Sequence, residues 1–133
     1  MSPNILIVDD SPIVRKIIIF SLKKTNYNLI SALDGIDALE KFAQTKIDLL
    51  ITNLNMPKMD GFELIYNIKS DPLYKDTPTV IVTTENEQGF IKRGIDVGAN
   101  VYLIKPVNPE KLRESVNQLL KGGEKISENI SCR

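Results

Sequence analysis

One stretch decides the fold of this 133-residue chain: Leu49-Leu50-Ile51-Thr52-Asn53-Leu54-Asn55-Met56-Pro57-Lys58-Met59-Asp60-Gly61. It opens as a short apolar run without polar alternation, which is typical of a strand buried on both faces. The run breaks at Asn53 into a turn-rich segment that ends at Asp60-Gly61. Open parallel sheets place their chemistry in the loops that leave the carboxyl ends of strands. The tip of this strand is therefore the first candidate for a functional site.

Similar apolar runs alternate with amphipathic segments on both sides of this stretch. The pattern predicts strands at 4–8, 29–32, 47–52, 79–83 and 101–104. It predicts helices at 12–25, 35–44, 62–70, 86–97 and 109–120. A serine or asparagine followed by proline, the usual start of a helix, stands at Ser11-Pro12 and Asn108-Pro109. Such alternation predicts a doubly wound α/β fold with helices on both faces of one parallel sheet.

The first predicted helix carries more apolar residues than one buried face needs. Its inner face is predicted to consist of Val14, Ile17, Ile18, Ser21 and Leu22. Ile13 and Phe20 fall outside that face, and we expect them to be partly exposed. Residues 1–121 are predicted to form the domain, and 122–133 a polar C-terminal tail.

Charge and composition exclude several classes of function. Lysine plus arginine number 17, as do aspartate plus glutamate, so net charge gives no case for nucleic acid or a membrane surface. The chain contains no histidine, which removes histidine-dependent triads and histidine metal sites. No apolar run approaches the length of a membrane span, and no signal-peptide pattern opens the chain. With Cys132 as the single cysteine, we expect a cytoplasmic protein.

Polar residues follow four of the five predicted strands. They are Asp9-Asp10, the segment from Asn53 to Gly61, Thr83-Thr84-Glu85 and Lys105-Pro106. In this order the motifs resemble the receiver domains of two-component response regulators, most closely the stand-alone chemotaxis type. The resemblance covers about residues 4–120. It implies the flavodoxin-like strand order 2-1-3-4-5.

The resemblance also implies a role for each strand tip. In the family, an aspartate at the position of Asn53 takes a phosphoryl group from a phosphohistidine. Positions Asp9 and Asp10 form the acidic pocket for Mg²⁺, and the direct ligands correspond to Asp10, Asn53 and the backbone carbonyl of Asn55. The implied partners are a sensor histidine kinase or phosphotransfer protein and a downstream target protein.

The switch elements of the family lie on the last two strands. Lys105 and Thr83 correspond to the residues that contact the phosphoryl oxygens. Tyr102 corresponds to the aromatic switch, and Pro106 is a candidate for a cis peptide bond. Because Asn53 offers no phosphoryl oxygen, we expect Thr83 to turn away from Asn53 and Tyr102 to be at least partly exposed.

Asn53 is the one departure from the family pattern. An amide is a poor nucleophile and carries no charge, so we predict no phosphorylation there and weakened Mg²⁺ binding. The other site residues are present, which favours an engineered aspartate-to-asparagine change. A natural pseudo-receiver, acting as a phosphate-independent interaction module, is the alternative.

Two enzymatic interpretations of the same fold are less favoured, and we predict that the chain is not an enzyme. A phosphohydrolase with Asp9 as nucleophile needs two acids separated by one residue, whereas Asp9 and Asp10 are adjacent. A flavin-binding protein needs a glycine-, serine- or threonine-rich phosphate loop after the first strand, which is absent.

Overall fold

The computed structural model describes residues 2–122, and within them five strands alternate with five helices. The strands are β1 (Asn4–Val8), β2 (Asn28–Ala32), β3 (Leu49–Thr52), β4 (Thr79–Thr83) and β5 (Val101–Ile104). The helices are α1 (Pro12–Leu22), α2 (Gly35–Gln44), α3 (Gly61–Ser70), α4 (Gln88–Val97) and α5 (Pro109–Gly122). All strand pairs are parallel, in the order β2-β1-β3-β4-β5, which confirms the predicted topology.

The sheet buries both of its faces, because successive side chains of a strand point to opposite sides. On one face, Ile5, Ile7 and Ile51 pack with residues of α1 and α5 such as Ile18 and Val116. On the other face, apolar residues of the same strands meet α2 and α3. These include Leu6, Val8, Leu50, Phe42 and Leu64. The near-continuous apolar character of the strands follows from this double burial.

Several elements begin or end a few residues away from the predicted positions. Helix α1 ends at Leu22, not near residue 25, and the Leu22 carbonyl accepts hydrogen bonds from both the backbone amide and the hydroxyl of Thr25, at 3.1 and 2.5 Å. Strand β3 begins at Leu49, not at residue 47, because the Asn4 amide donates to the Asp48 carboxylate instead of to backbone. Helix α4 begins at Gln88, two residues later than predicted. Helix α5 continues to Gly122, the first residue of the predicted tail 122–133, and the rest of that tail lies outside the described residues.

An apolar stripe lies on the outer face of α1. Ile13 is 70% exposed and Phe20 is 76% exposed, as expected from the sequence. The assignment of Ile17 to the buried face is wrong, since it is 45% exposed and lies between these two along the helix. We call Ile13, Ile17 and Phe20 the α1 stripe. Within residues 2–122, no helix is long and apolar enough to cross a membrane.

Candidate functional site

The parallel sheet brings the polar strand tips to one edge. Backbone hydrogen bonds continue the pairing one residue beyond the strands, from the Asn53 amide to the Val8 carbonyl at 3.0 Å and from the Lys105 amide to the Thr83 carbonyl at 2.7 Å. Asp9, Asn53, Thr83 and Lys105 therefore share the carboxyl edge of four adjacent strands. This is the part of a doubly wound sheet in which ligands bind.

Asp9 and Lys105 form a buried ion pair across this edge. The Lys105 ammonium lies 3.0 Å from Asp9 Oδ2, with the Asp9 side chain 1% exposed and that of Lys105 15% exposed. Asp9 Oδ1 also accepts a hydrogen bond from the Ser11 amide at 2.9 Å. The lysine reaches from β5 to the tip of β1, past the two intervening strands β3 and β4. The peptide bond between Lys105 and Pro106 is cis.

Both ends of the Asn53 side chain are engaged. Its Oδ1 accepts a hydrogen bond from the Leu54 amide at 2.8 Å, and its Nδ2 donates to the backbone carbonyl of Asn55 at 3.0 Å. Each partner is chemically matched, since exchanging the two amide atoms would oppose donor to donor and acceptor to acceptor. The side chain is 8% exposed. Asn53 is therefore a fixed part of the loop.

These residues do not fit a divalent cation in the arrangement that the structure has. The predicted ligand set needs oxygen atoms from Asp10, Asn53 and the Asn55 carbonyl. Asp10 is exposed, but the Asn53 NH₂ group bonds to the carbonyl that would be the third ligand. Within residues 2–122, no group of three or more histidine, cysteine, aspartate or glutamate side chains could hold a metal. An amide N–H is a donor and not a ligand, so it occupies a place where a cation would need an oxygen.

Tyr102 contradicts the prediction that it is partly exposed. Its side chain is fully buried, and its hydroxyl donates a hydrogen bond to the Glu85 carbonyl at 2.8 Å. The ring packs against Gly94 of α4, where an added Cβ would lie 3.0 Å from Tyr102 Cδ2. The missing side chain at Gly94 leaves the space that the buried ring fills.

Thr83 is buried but bonded to its own loop. Its hydroxyl oxygen accepts a hydrogen bond from the Glu85 amide at 3.3 Å. Among the residues that the structure describes, no hydrogen bond joins Thr83 to Asn53. That part of the expectation agrees with the structure. Within the part of the chain that the structure describes, Tyr102 is thus buried without a hydrogen bond from Thr83 to Asn53.

Two further contacts close the site and were not foreseen from the sequence. The Asn55 side-chain amide donates to Glu85 Oε2 at 2.7 Å, which joins the loop after β3 to the loop after β4. Gly61 lies so close to the strand tip that an added Cβ would be 2.2 Å from the Asn53 carbonyl oxygen. The capping box between Asp60 and Glu63, which starts α3 beside this contact, does have a readable sequence pattern.

The chain is similar to known proteins over most of its length. Residues 5–117 match the family model of the response regulator receiver domain. Chemotaxis protein CheY1 of Helicobacter pylori is 36% identical over 121 residues, covering 88% of this chain and 96% of that protein. The CheY homolog of Campylobacter jejuni is 32% identical over 122 residues, covering 90% and 94%. The structure of Vibrio cholerae CheY4 superimposes with a TM-score of 0.84 at 35% identity, covering 90% of this chain and 100% of that one.

Proposed function

The chain belongs to the response regulator receiver domain family and is a CheY-like signalling receiver, and from that premise we propose that it signals through protein contacts without taking a phosphoryl group at residue 53. Receiver domains are typically non-catalytic modules that bind Mg²⁺ at an acidic pocket. We propose that this chain is likewise no enzyme, acts in the cytoplasm, and binds Mg²⁺ more weakly than an aspartate-bearing receiver does.

The observation that carries the proposal is the state of the Asn53 side chain. A phosphoacceptor needs a carboxylate oxygen that is free to attack phosphorus in line. The Asn53 oxygen is neutral and accepts the Leu54 amide proton, and its nitrogen is bonded to Asn55. Lys105 and Thr83 are the proposed phosphoryl contacts of an aspartate-bearing receiver. In this chain they are engaged with Asp9 and with the loop at Glu85.

Acetyl phosphate labelling tests this proposal directly. We expect no acyl phosphate adduct after incubation of the chain with acetyl phosphate and Mg²⁺, measured as intact mass. The Asn53→Asp variant is the matched control, because it restores the nucleophile within the same loop, and it should gain one phosphoryl group. A stoichiometric adduct on the unmodified chain would contradict the proposal.

CheY-like receivers interact with histidine kinases and with downstream targets, and we propose the α1 stripe as the contact for the phosphodonor protein. Helix α1 begins two residues after Asp10, so the stripe starts at the rim of the site. Its three exposed apolar side chains recur at helical spacing on one side of the helix. A partner helix packed along them would bury apolar surface beside the acidic pocket.

Phe20→Ala should weaken donor binding about tenfold, the size of a moderate hot-spot truncation. The donor is the histidine kinase or phosphotransfer protein that phosphorylates the Asn53→Asp variant, and affinity is measured by titration calorimetry. Leu73→Ala is the control, because Leu73 is an 82% exposed apolar residue in the loop before β4, at the opposite edge of the sheet. Equal affinities of the Phe20→Ala and parent chains would remove the stripe from the interface.

A natural pseudo-receiver is the second candidate function, and the buried Tyr102 favours it. A tyrosine held inward without a phosphoryl group is what a constitutive interaction module requires. The engineered origin of Asn53 is favoured instead by the presence of Asp9, Asp10, Thr83 and Lys105 together. The codon for residue 53 in the source gene separates the two, since an aspartate codon there identifies an engineered change.

A further inference from the structure

We propose that the Asn53 carboxamide is a positioning group that keeps Tyr102 buried, acting through Asn55 and Glu85. Asn53 would then set the conformation of the receiver as well as blocking phosphorylation. This inference deepens the proposed function. It rests on that proposal because it requires residue 53 to stay unphosphorylated. It concerns a chain of hydrogen bonds between the loop after β3 and the loop after β4.

The first link fixes the position of Asn55. The Asn53 Nδ2 atom donates to the Asn55 carbonyl at 3.0 Å, while Oδ1 accepts the Leu54 amide proton. An aspartate of the same shape would keep the bond to Leu54. It would replace the donor with a charged oxygen facing the Asn55 carbonyl oxygen, two acceptors at hydrogen-bond distance. The first link therefore exists for asparagine and is repulsive for a bare aspartate.

The second link crosses between the loops. Once its backbone is held, Asn55 donates from its side-chain amide to the Glu85 carboxylate at 2.7 Å. A bond from an amide to an ionised oxygen is charge-assisted and stronger than one between neutral groups. Residues 55 and 85 are 30 positions apart, so this contact joins the loop after β3 directly to the loop after β4.

The third link reaches Tyr102. The backbone of Glu85 is held on both sides of the residue, since its amide donates to the Thr83 hydroxyl and its carbonyl accepts the Tyr102 hydroxyl at 2.8 Å. The Tyr102 ring then fills the space beside Gly94 and Ile81. Movement of Glu85 would break this hydrogen bond of a buried phenol, a cost that favours an outward ring.

An inward pull by Thr83 does not account for this state. In the receiver family, the aromatic residue at the position of Tyr102 is expected to turn inward when the threonine hydroxyl at the position of Thr83 moves toward a phosphoryl oxygen. Here the Thr83 hydroxyl bonds to Glu85 and, within residues 2–122, not to Asn53. The links through Asn55 and Glu85 form a hydrogen-bonded connection between position 53 and Tyr102.

The test follows Tyr102 by fluorine NMR of 3-fluorotyrosine-labelled full-length chain, with its resonance assigned by Tyr102→Phe. Burial is measured by the shift between H₂O and D₂O. In the parent chain, we expect the Tyr102 resonance to show the small H₂O-to-D₂O shift of a buried ring. Asn53→Asp in EDTA, which loses the Asn53–Asn55 bond, and Asn55→Ala, which loses the Asn55–Glu85 bond, should each move the ratio of buried to exposed Tyr102 about tenfold toward exposure, the scale of one lost hydrogen bond. Asn86→Ala, at an exposed asparagine of the loop after β4, is the control and should leave the ratio unchanged.

Mg²⁺ supplies a second comparison. It should return the Tyr102 resonance of Asn53→Asp toward the buried position and leave that of the parent unchanged. A buried Tyr102 in Asn53→Asp with EDTA would overturn the inference, as would a Mg²⁺-dependent shift in the parent. If Asn55→Ala does not fold, Asn55→Asp, which keeps the shape of the side chain and repels Glu85, replaces it. An acyl phosphate on the parent would refute the proposed function but would not move this readout, so the two failures are distinguishable.

Discussion

Gly61→Ala is expected to lower the free energy of unfolding by about 3 kcal/mol, the upper part of the range for forcing extra atoms into a packed site. The added Cβ would lie 2.2 Å from the Asn53 carbonyl oxygen and 2.8 Å from Leu54 Cα. Both neighbours are backbone atoms, which cannot move aside as the end of a flexible side chain can. The loop after β3 must therefore shift together with the start of α3.

Urea denaturation measures this effect, and Gly89→Ala is the matched control. Gly89 lies in α4 with nothing within 4 Å of an added Cβ, so alanine there should raise stability by up to about 1 kcal/mol. Opposite signs for the same chemical change would separate close packing from helix propensity. A Gly61→Ala chain as stable as the parent would show that the loop after β3 does not lie against α3 as described.

Lys105→Met is expected to destabilise the fold by about 3 kcal/mol at neutral pH, because it leaves a buried carboxylate without its cation. Asp9 is 1% exposed, so water does not replace the lost partner. Asp9→Asn removes the charge and keeps an oxygen for the Ser11 amide. The double variant Asp9→Asn, Lys105→Met should therefore be clearly more stable than Lys105→Met alone.

Thermal and urea unfolding of the four chains give the coupling between Asp9 and Lys105. Lys92→Met is the control, because Lys92 pairs with Asp96 on the surface of α4, with side chains 77% and 62% exposed. Such exposed pairs contribute little, so this variant should unfold close to the parent. If Lys105→Met unfolds as Lys92→Met does, the ion pair does not hold the tips of β1 and β5 together.

The state of residue 53 bears on how asparagine variants of receivers are interpreted. An asparagine at this position removes a carboxylate and also introduces a hydrogen-bond donor that an aspartate lacks. In this chain the amide makes a bond to the Asn55 carbonyl that a carboxylate is unable to make. Comparison of the asparagine and aspartate forms therefore needs a conformational readout as well as a phosphorylation assay.

The order of elements and the membership of the site are determined by the sequence itself. Apolar runs separated by amphipathic segments specify a doubly wound sheet, and parallel strands carry their carboxyl ends to one edge. The residues that follow β1, β3, β4 and β5 must then meet, whatever the details of packing. This is why the sequence alone places Asp9, Asn53, Thr83 and Lys105 at one edge of the sheet.

Only the tertiary structure decided the contacts that depend on distances between remote segments. The sequence predicted Ile17 inside and Tyr102 partly outside, and both predictions were wrong. The outward turn of Ile17 depends on how α1 is rotated against the sheet. The burial of Tyr102 on β5 depends on the space beside Gly94, which lies in the preceding helix α4. Local periodicity carries neither quantity, because each is set when separate elements pack against one another.

The orientation of the Asn53 side-chain amide is the clearest example of a feature that only the tertiary structure decides. The sequence indicates only that residue 53 lacks the carboxylate of an aspartate. In the folded chain its nitrogen faces the Asn55 carbonyl because its oxygen is taken by the Leu54 amide. The choice between the two orientations is made by partners that come into place when the loop after β3 closes. From the sequence, Asn53 is known only by the carboxylate that it lacks. In the structure, the same residue is a hydrogen-bond donor in the centre of the site.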